Sequence, residues 1–266
     1  MMTCILCLLA LTPLPQSEAL RIYQARPTLG LLGPAASASQ VYLPGDTVTL
    51  TFDVAGLKLD SEGRCKFSMT VQVEDAQGKV CFVDSSDSPT VGSLQNVSRL
   101  RHAAQVTLAL DQPPGTYKMT LTVTDVQSKG KATYTHTFTV GQPGFGLVRT
   151  QMYADPNGRQ PSGCTGVVGQ TLSISTVAVG FQFGGPSKEA GLSVEMMLQG
   201  EGGKTVTAKP VKAEFRNIPS GTSYLPLRFD VPLQEPGKYT LVIKATDQVT
   251  SKTATLTMPI RIVDGE

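Results

Sequence analysis

The sequence predicts an all-β protein built as two consecutive antiparallel β-sandwiches, and three observations predict it. Apolar and polar residues alternate with a period of two, and helical periodicity is nearly absent. Strand-length runs recur roughly every ten residues, separated by turn signals such as Asp75-Ala76-Gln77-Gly78 and Gly200-Glu201-Gly202-Gly203, which favours a sandwich over a βαβ fold. The chain also repeats itself: Pro114-Gly115-Thr116-Tyr117 and Thr124-Asp125 return as Pro236-Gly237-Lys238-Tyr239 and Thr246-Asp247. The offsets are 124 from Gly45 to Gly169, 125 from Gly78 to Gly203 and 122 from Pro114 to Pro236, as expected of diverged copies with small loop insertions.

From the N-terminus, Cys4 to Leu14 is almost wholly apolar, its end is interrupted by Pro13 and Pro15, and the segment closes on Ser17-Glu18-Ala19. That pattern predicts an export signal over residues 1–19 with cleavage before Leu20, although no Lys or Arg precedes the apolar run. The run is too short for a stable membrane span, which needs about 20 apolar residues. Residues 20–141 then form the first domain and 142–266 the second, divided at Gly141-Gln142-Pro143-Gly144, a short linker that limits but does not freeze their orientation.

In the first copy, Val48, Leu50, Phe52 and Val54 share one face of a strand whose other face carries Thr47, Thr49, Thr51 and Asp53. The next strand alternates Phe67, Met69, Val71 and Val73; Met119, Leu121 and Val123 follow, and then Tyr134, His136, Phe138 and Val140. The second copy keeps phase with Leu172, Ile174 and Ala178, with Leu192, Val194, Met196 and Leu198, with Leu241, Ile243 and Ala245, and with Leu256, Met258, Ile260 and Ile262. Pro259, on the outward phase of the last strand, predicts a sheet edge, because a central strand would lose a ladder hydrogen bond there. Residues 83–102 and 155–166 read as the longest irregular segments.

Length, 40% apolar content and a net charge of +2 fit globular domains, and the scattered Lys and Arg predict no nucleic-acid partner. The two histidines supply little for catalysis: His136 lies on the apolar phase of its strand, and His102, in Arg99-Leu100-Arg101-His102, reads as a solvated strand entry. Nucleophile elbow, zinc-spaced histidine pair and phosphate-cradling glycine loop are all missing, so catalytic, cofactor and metal residues are each read as none. Asp125 and Asp247 read as turn caps, since calcium needs six to eight oxygen ligands and the turn beside Asp247, Gln248-Val249-Thr250-Ser251-Lys252, supplies no second acid. Asp84-Ser85-Ser86-Asp87-Ser88 is a denser oxygen cluster without a counterpart in the second copy, and Asn96-Val97-Ser98 matches a glycosylation sequon.

After cleavage Cys65, Cys81 and Cys164 remain, an odd number. A hairpin turn at Asp75 to Gly78 would set Cys81 opposite about residue 72, roughly 23 Å along the strand from Cys65. That is too far for a disulfide, and the inward phase of Cys65 predicts a buried thiol. Threonines line the outward faces at 47, 49 and 51 and again at 133, 135, 137 and 139, which is ordinary strand preference.

The run from Pro236-Gly237-Lys238-Tyr239 through Thr246-Asp247 to Ala254 resembles the last two strands of bacterial immunoglobulin-like domains. The resemblance covers residues 37–263 and implies that the hydroxyls of Tyr117 and Tyr239 close a corner on backbone. Met119 and Leu241 stand where the second cysteine of an antibody domain would be, and the chain has no Trp. The layout is similar to that of secreted proteins of environmental bacteria such as planctomycetes. These features lead to the expectation of a non-catalytic, exported structural, adhesive or partner-binding module of the cell envelope, secreted, periplasmic or on the cell surface, meeting a protein or glycan there without a cofactor. Two other readings stay open. A carbohydrate-binding module would present Tyr23, Tyr153, Phe181 or Phe183 as a platform. A periplasmic chaperone would offer the strand from Tyr134 to Val140 as an edge, although its halves would be dissimilar.

Overall fold

The computed structural model describes residues 19–37, 39–85, 90–93, 99–185, 189–201 and 210–265. The leader through Glu18, Ser86 to Ser88, the Asn96-Val97-Ser98 sequon and the Gly202-Gly203 turn lie outside the described residues. No α-helix occurs among the described residues.

The first half contributes β1 (Arg21–Thr28), β2 (Val41–Tyr42), β3 (Thr47–Ala55), β4 (Arg64–Glu74), β5 (Val80–Ser85), β6 (Thr90–Ser93), β7 (Arg99–Thr107), β8 (Gly115–Asp125) and β9 (Lys131–Val140). Its sheets run β1-β3-β7 and β2-β9-β8-β4-β5, with β6 also paired to β4. The second half contributes β10 (Gly146–Tyr153), β11 (Thr165–Val167), β12 (Thr171–Val179), β13 (Ala190–Gln199), β14 (Val211–Ile218), β15 (Tyr224–Pro232), β16 (Gly237–Asp247) and β17 (Thr253–Val263). Its sheets, β10-β12-β15 and β11-β17-β16-β13-β14, retrace the same order. All the pairings are antiparallel except the short β2–β9 and β11–β17 pairs, which are parallel.

Alternation decides what each strand buries. In β3, Val48, Leu50, Phe52 and Val54 are sealed from solvent and pack on Phe67, Leu121 and Val123 of the facing sheet. Leu172, Ile174, Leu192, Val194, Leu241 and Ile243 build the second core in the same manner. The first core takes its residues from 20 to 140 and the second from 145 to 262, so each sandwich closes its own. Each side chain buried in this way contributes about 1.5–3 kcal/mol.

Several expectations need correction. Residues 83–102 are not one irregular segment: β5 runs to Ser85, β6 occupies Thr90–Ser93 and β7 begins at Arg99. Polar Ser and Thr residues hide the strand there because neither face reads as apolar. Thr49, expected on a solvated face, is 1% exposed: it is flanked by Thr28 of β1 and by Gln105 of β7, whose Nε2 donates to its Oγ1 at 3.0 Å. Pro259 lies on an open stretch of edge, but β17 itself is second in its sheet, since β11 pairs it only from Arg261 onward. A bulge between Val73 and Glu74 sets Cys81 across from those two residues rather than residue 72, so the strand separates it from Cys65 still further.

Candidate partner-binding site at the domain junction

Some of the features that depart from regular sheet lie where the halves meet, the bulge at Arg149 and the left-handed Gly30 among them. The first and tenth strands each carry a bulge, with the register shifting between Tyr23 and Arg26 in β1 and between Val148 and Gln151 in β10. The extra residue turns left-handed in both, with φ of 49° at Gln24 and 54° at Arg149. In β10 this turn frees the Arg149 N–H from the ladder and aims it across the junction. It donates to Asp46 Oδ1 at 2.9 Å, which also accepts from Thr47 N at 2.8 Å. Arg149 Nε then donates to the Gly45 carbonyl at 2.6 Å, so one residue of the second sandwich grips the β2–β3 turn of the first.

Desolvation at this contact pushes the Asp46 carboxyl up, and the two backbone donors and the Arg149 charge offset only part of that. A second link joins Leu31 N to Gln151 Oε1 at 3.1 Å. Gly30 makes that approach possible, since its φ is +78° and a Cβ there would meet Gln151 Oε1 at 2.7 Å. Leu43 lies against Gly146, where a Cβ would come within 2.1 Å of its Cδ1. Gly141 N donates to Tyr42 O at 2.8 Å, which ties the linker back to the first sandwich.

Three hollows surround the junction. A cavity of about 200 Å³ is lined by Tyr42, Asp46, Leu147, Thr150, Thr255 and Thr257 among others. The Tyr42 hydroxyl is buried with no hydrogen-bond partner, and burial followed by the Asp46 charge raises its pKa to about 12. Apolar hollows of about 350 Å³ flank it, one beside Leu31, Leu32, His102 and Pro161, the other beside Leu110, Pro143, Val179 and Gly180.

The residues singled out in the sequence fall elsewhere. Tyr117 Oη donates to Pro113 O at 2.8 Å and Tyr239 Oη to Glu235 O at 3.0 Å, so both close the corner that the resemblance implied. Asp125 accepts from Lys58 N, Gln127 N and Ser128 Oγ, and Asp247 from Gln182 N, Val249 N and Thr250 Oγ1. Each therefore caps its own turn and pins a distant loop as well. Burial presses the Asp125 carboxyl upward, but these donors outweigh it and hold the group below the usual carboxylate range. His102 is not a solvated entry: its ring stacks on Phe52 at 6.0 Å, meets Phe67 edge-on at 5.7 Å and accepts the Ala103 N–H at 2.9 Å. His136 is half-buried against Phe138 at 6.4 Å, and desolvation lowers its pKa. Cys65 is fully buried and Cys81 exposed, while burial raises the Cys164 thiol to about 11. Among the described residues no three His, Cys, Asp or Glu side chains gather to hold a metal ion.

The aromatic candidates are occupied. The Arg99 guanidinium covers the Tyr23 ring at 4.7 Å, Phe181 is buried against Phe183, and the Tyr153 ring backs onto Gly158. In the strand from Tyr134 to Val140, the Tyr134 hydroxyl bonds to Ala25 O at 3.3 Å and β2 pairs its far end. Thr133, Thr135 and Thr137 are exposed, beside Thr122, Thr120 and Lys118 of the neighbouring strand. Sequence reasoning missed the junction because its parts, Asp46, Arg149 and Gln151, stand far apart and are unremarkable alone; Gly45 opening a strand was the one visible signal.

The fold defines an all-β protein of two β-sandwiches, and no helix among the described residues is long and apolar enough to cross a membrane. The chain matches no protein-family model and no curated protein. Among solved structures it is similar to red sea bream transglutaminase, at 11% identity over 90% of this chain and 32% of that one, with a TM-score of 0.29. It therefore spans about a third of that protein's length. It is also similar to the C-terminal domain of the Streptococcus pyogenes antigen I/II-family protein AspA, at 10% identity over 90% of this chain and 99% of that one, again with a TM-score of 0.29.

Proposed function

We propose that this protein is an exported, non-catalytic module of the cell envelope or exterior that presents a recognition surface for a protein or glycan, with its two sandwiches held in one orientation. The observation that carries this reading is the junction, where Arg149 grips the Gly45-Asp46 turn through a backbone and a side-chain hydrogen bond. A linker alone would leave the two domains free to reorient; bonds made from a bulge and received by a carboxylate select one arrangement. Surface recognition gains from that restraint, because fewer orientations have to be given up on binding. The covered rings of Tyr23 and Phe181 weigh against a carbohydrate platform, and the tied Tyr134 strand against a donated edge.

The test pairs binding with turnover. Wild type and Asp46→Ala are assayed on glycan arrays and on isolated envelope fractions, and wild type is assayed on generic ester, peptide and glycoside substrates. Binding that weakens in Asp46→Ala is the expected result. Turnover that disappears in a folded His102→Ala variant overturns the non-catalytic reading.

A further inference from the structure

We propose that two copies of this protein associate through the outer edge of β14, joining their five-stranded sheets across a two-fold axis. From Val211 to Phe215 this strand pairs with β13 in unbroken register, and among the described residues no strand occupies its other side. Its own register shifts only beyond Phe215. Of the other edges, β1 and β10 are bulged, β15 holds Pro226 and Pro232, and β7, although unbroken along β3, carries charges of one sign only, Arg99 and Arg101. Between Val211 and Phe215 the outward backbone groups of β14 are available for pairing.

The side chains select the occupant. Lys212, Glu214 and Arg216 alternate on the outward face, with side chains 65%, 50% and 74% exposed. When two such strands run antiparallel and cross at Ala213, Lys212 of each copy faces Glu214 of the other, and Val211 faces Phe215. Crossing at Glu214 would set Glu214 against itself and Lys212 against Arg216; crossing at Lys212 would set two lysines together. A one-residue slip would place Lys212 opposite Phe215. Crossing at Phe215 would set Glu214 against Arg216 but Lys212 against Ile218. The Ala213 register is therefore the one that opposes Lys212 to Glu214 while matching apolar Val211 to Phe215, and opposed charges across a strand pair stabilise it as much as like charges disfavour it. The apolar face agrees, since Val211 is 54% exposed at the mouth of a cleft of about 390 Å³ floored by Met196, Leu198 and Leu241. A second copy covers that valine with its Phe215.

Sedimentation equilibrium on the mature chain tests this. Wild type should show a monomer–dimer equilibrium, and Lys212→Glu or Glu214→Lys should each weaken it by about tenfold, since symmetry counts each change twice. The double variant carrying both changes should regain wild-type association. Ala213→Cys, made with Cys81→Ser, should oxidise to a linked dimer, because facing Cβ atoms in such a pair stand about 5 Å apart. A wild type that stays monomeric and fails to cross-link through residue 213 overturns the proposal. So does association that neither single charge change weakens.

Discussion

Asp46 receives two backbone N–H groups at the junction, and removing its side chain strands both. Asp46→Ala should therefore lose about 1–3 kcal/mol in urea unfolding. Asp46→Asn keeps an acceptor oxygen and cannot ionise. Because the folded Asp46 carboxyl titrates above its ordinary value of 3.8, its contribution to stability is fullest below that pH and declines as pH rises through the raised folded value. Asp46→Asn should abolish that decline and be at least as stable as wild type at pH 7. Asp125 runs the other way. Its depressed pKa contributes stability above the ordinary value, and that stability is lost as pH falls through the folded one. Asp125→Asn should melt below wild type at pH 7, with the gap closing in acid. Thiol labelling should separate the cysteines: Cys81 reacts fastest in the native protein, half-buried Cys164, with its pKa of about 11, reacts more slowly, and buried Cys65 reacts at the unfolding rate.

At the scale of elements, the strands easiest to read were those that keep strict alternation, from Thr47 to Val54, from Phe67 to Val73 and along β8, β9, β13, β16 and β17. The first strand of each sandwich escaped detection because a bulge inserts a residue and reverses the phase midway, at Gln24 and at Arg149. The β15 strand was hidden by Pro226 and Pro232, which signal a break in sequence but are tolerated on an edge. The junction combines both difficulties: it is built from a bulge and a turn, and neither has a periodicity. His102 was misread because Arg99 and Arg101 made its surroundings look solvated, although it shares the inward phase of Leu100 and Ala104. The corners were legible from Pro-Gly-Xaa-Tyr alone. Tyr117→Phe should cost about 1 kcal/mol through the lost bond to Pro113 O, and Tyr239→Phe less, because its hydroxyl bonds lie in exposed positions.

For the molecule as a whole, the junction predicts a narrow distribution of distances between labels on the two sandwiches. Pulsed spin-label measurements should broaden that distribution in Arg149→Ala, which loses the bond to Gly45 O, while each sandwich keeps its own fold. A different property follows from the two short parallel pairs. The β9 strand leads straight into the linker and β17 lies at the far end of the second sandwich, and each is held by an early strand of its own sandwich running the same way, β2 and β11. When the chain is stretched between its ends, parallel neighbours are pulled past each other, so their hydrogen bonds share the tension together instead of parting one after another. The sandwiches are thus mechanically clamped along the line that joins the two ends of the chain, and stretching single molecules should reveal a resistance that disappears when Val41 and Tyr42 are deleted.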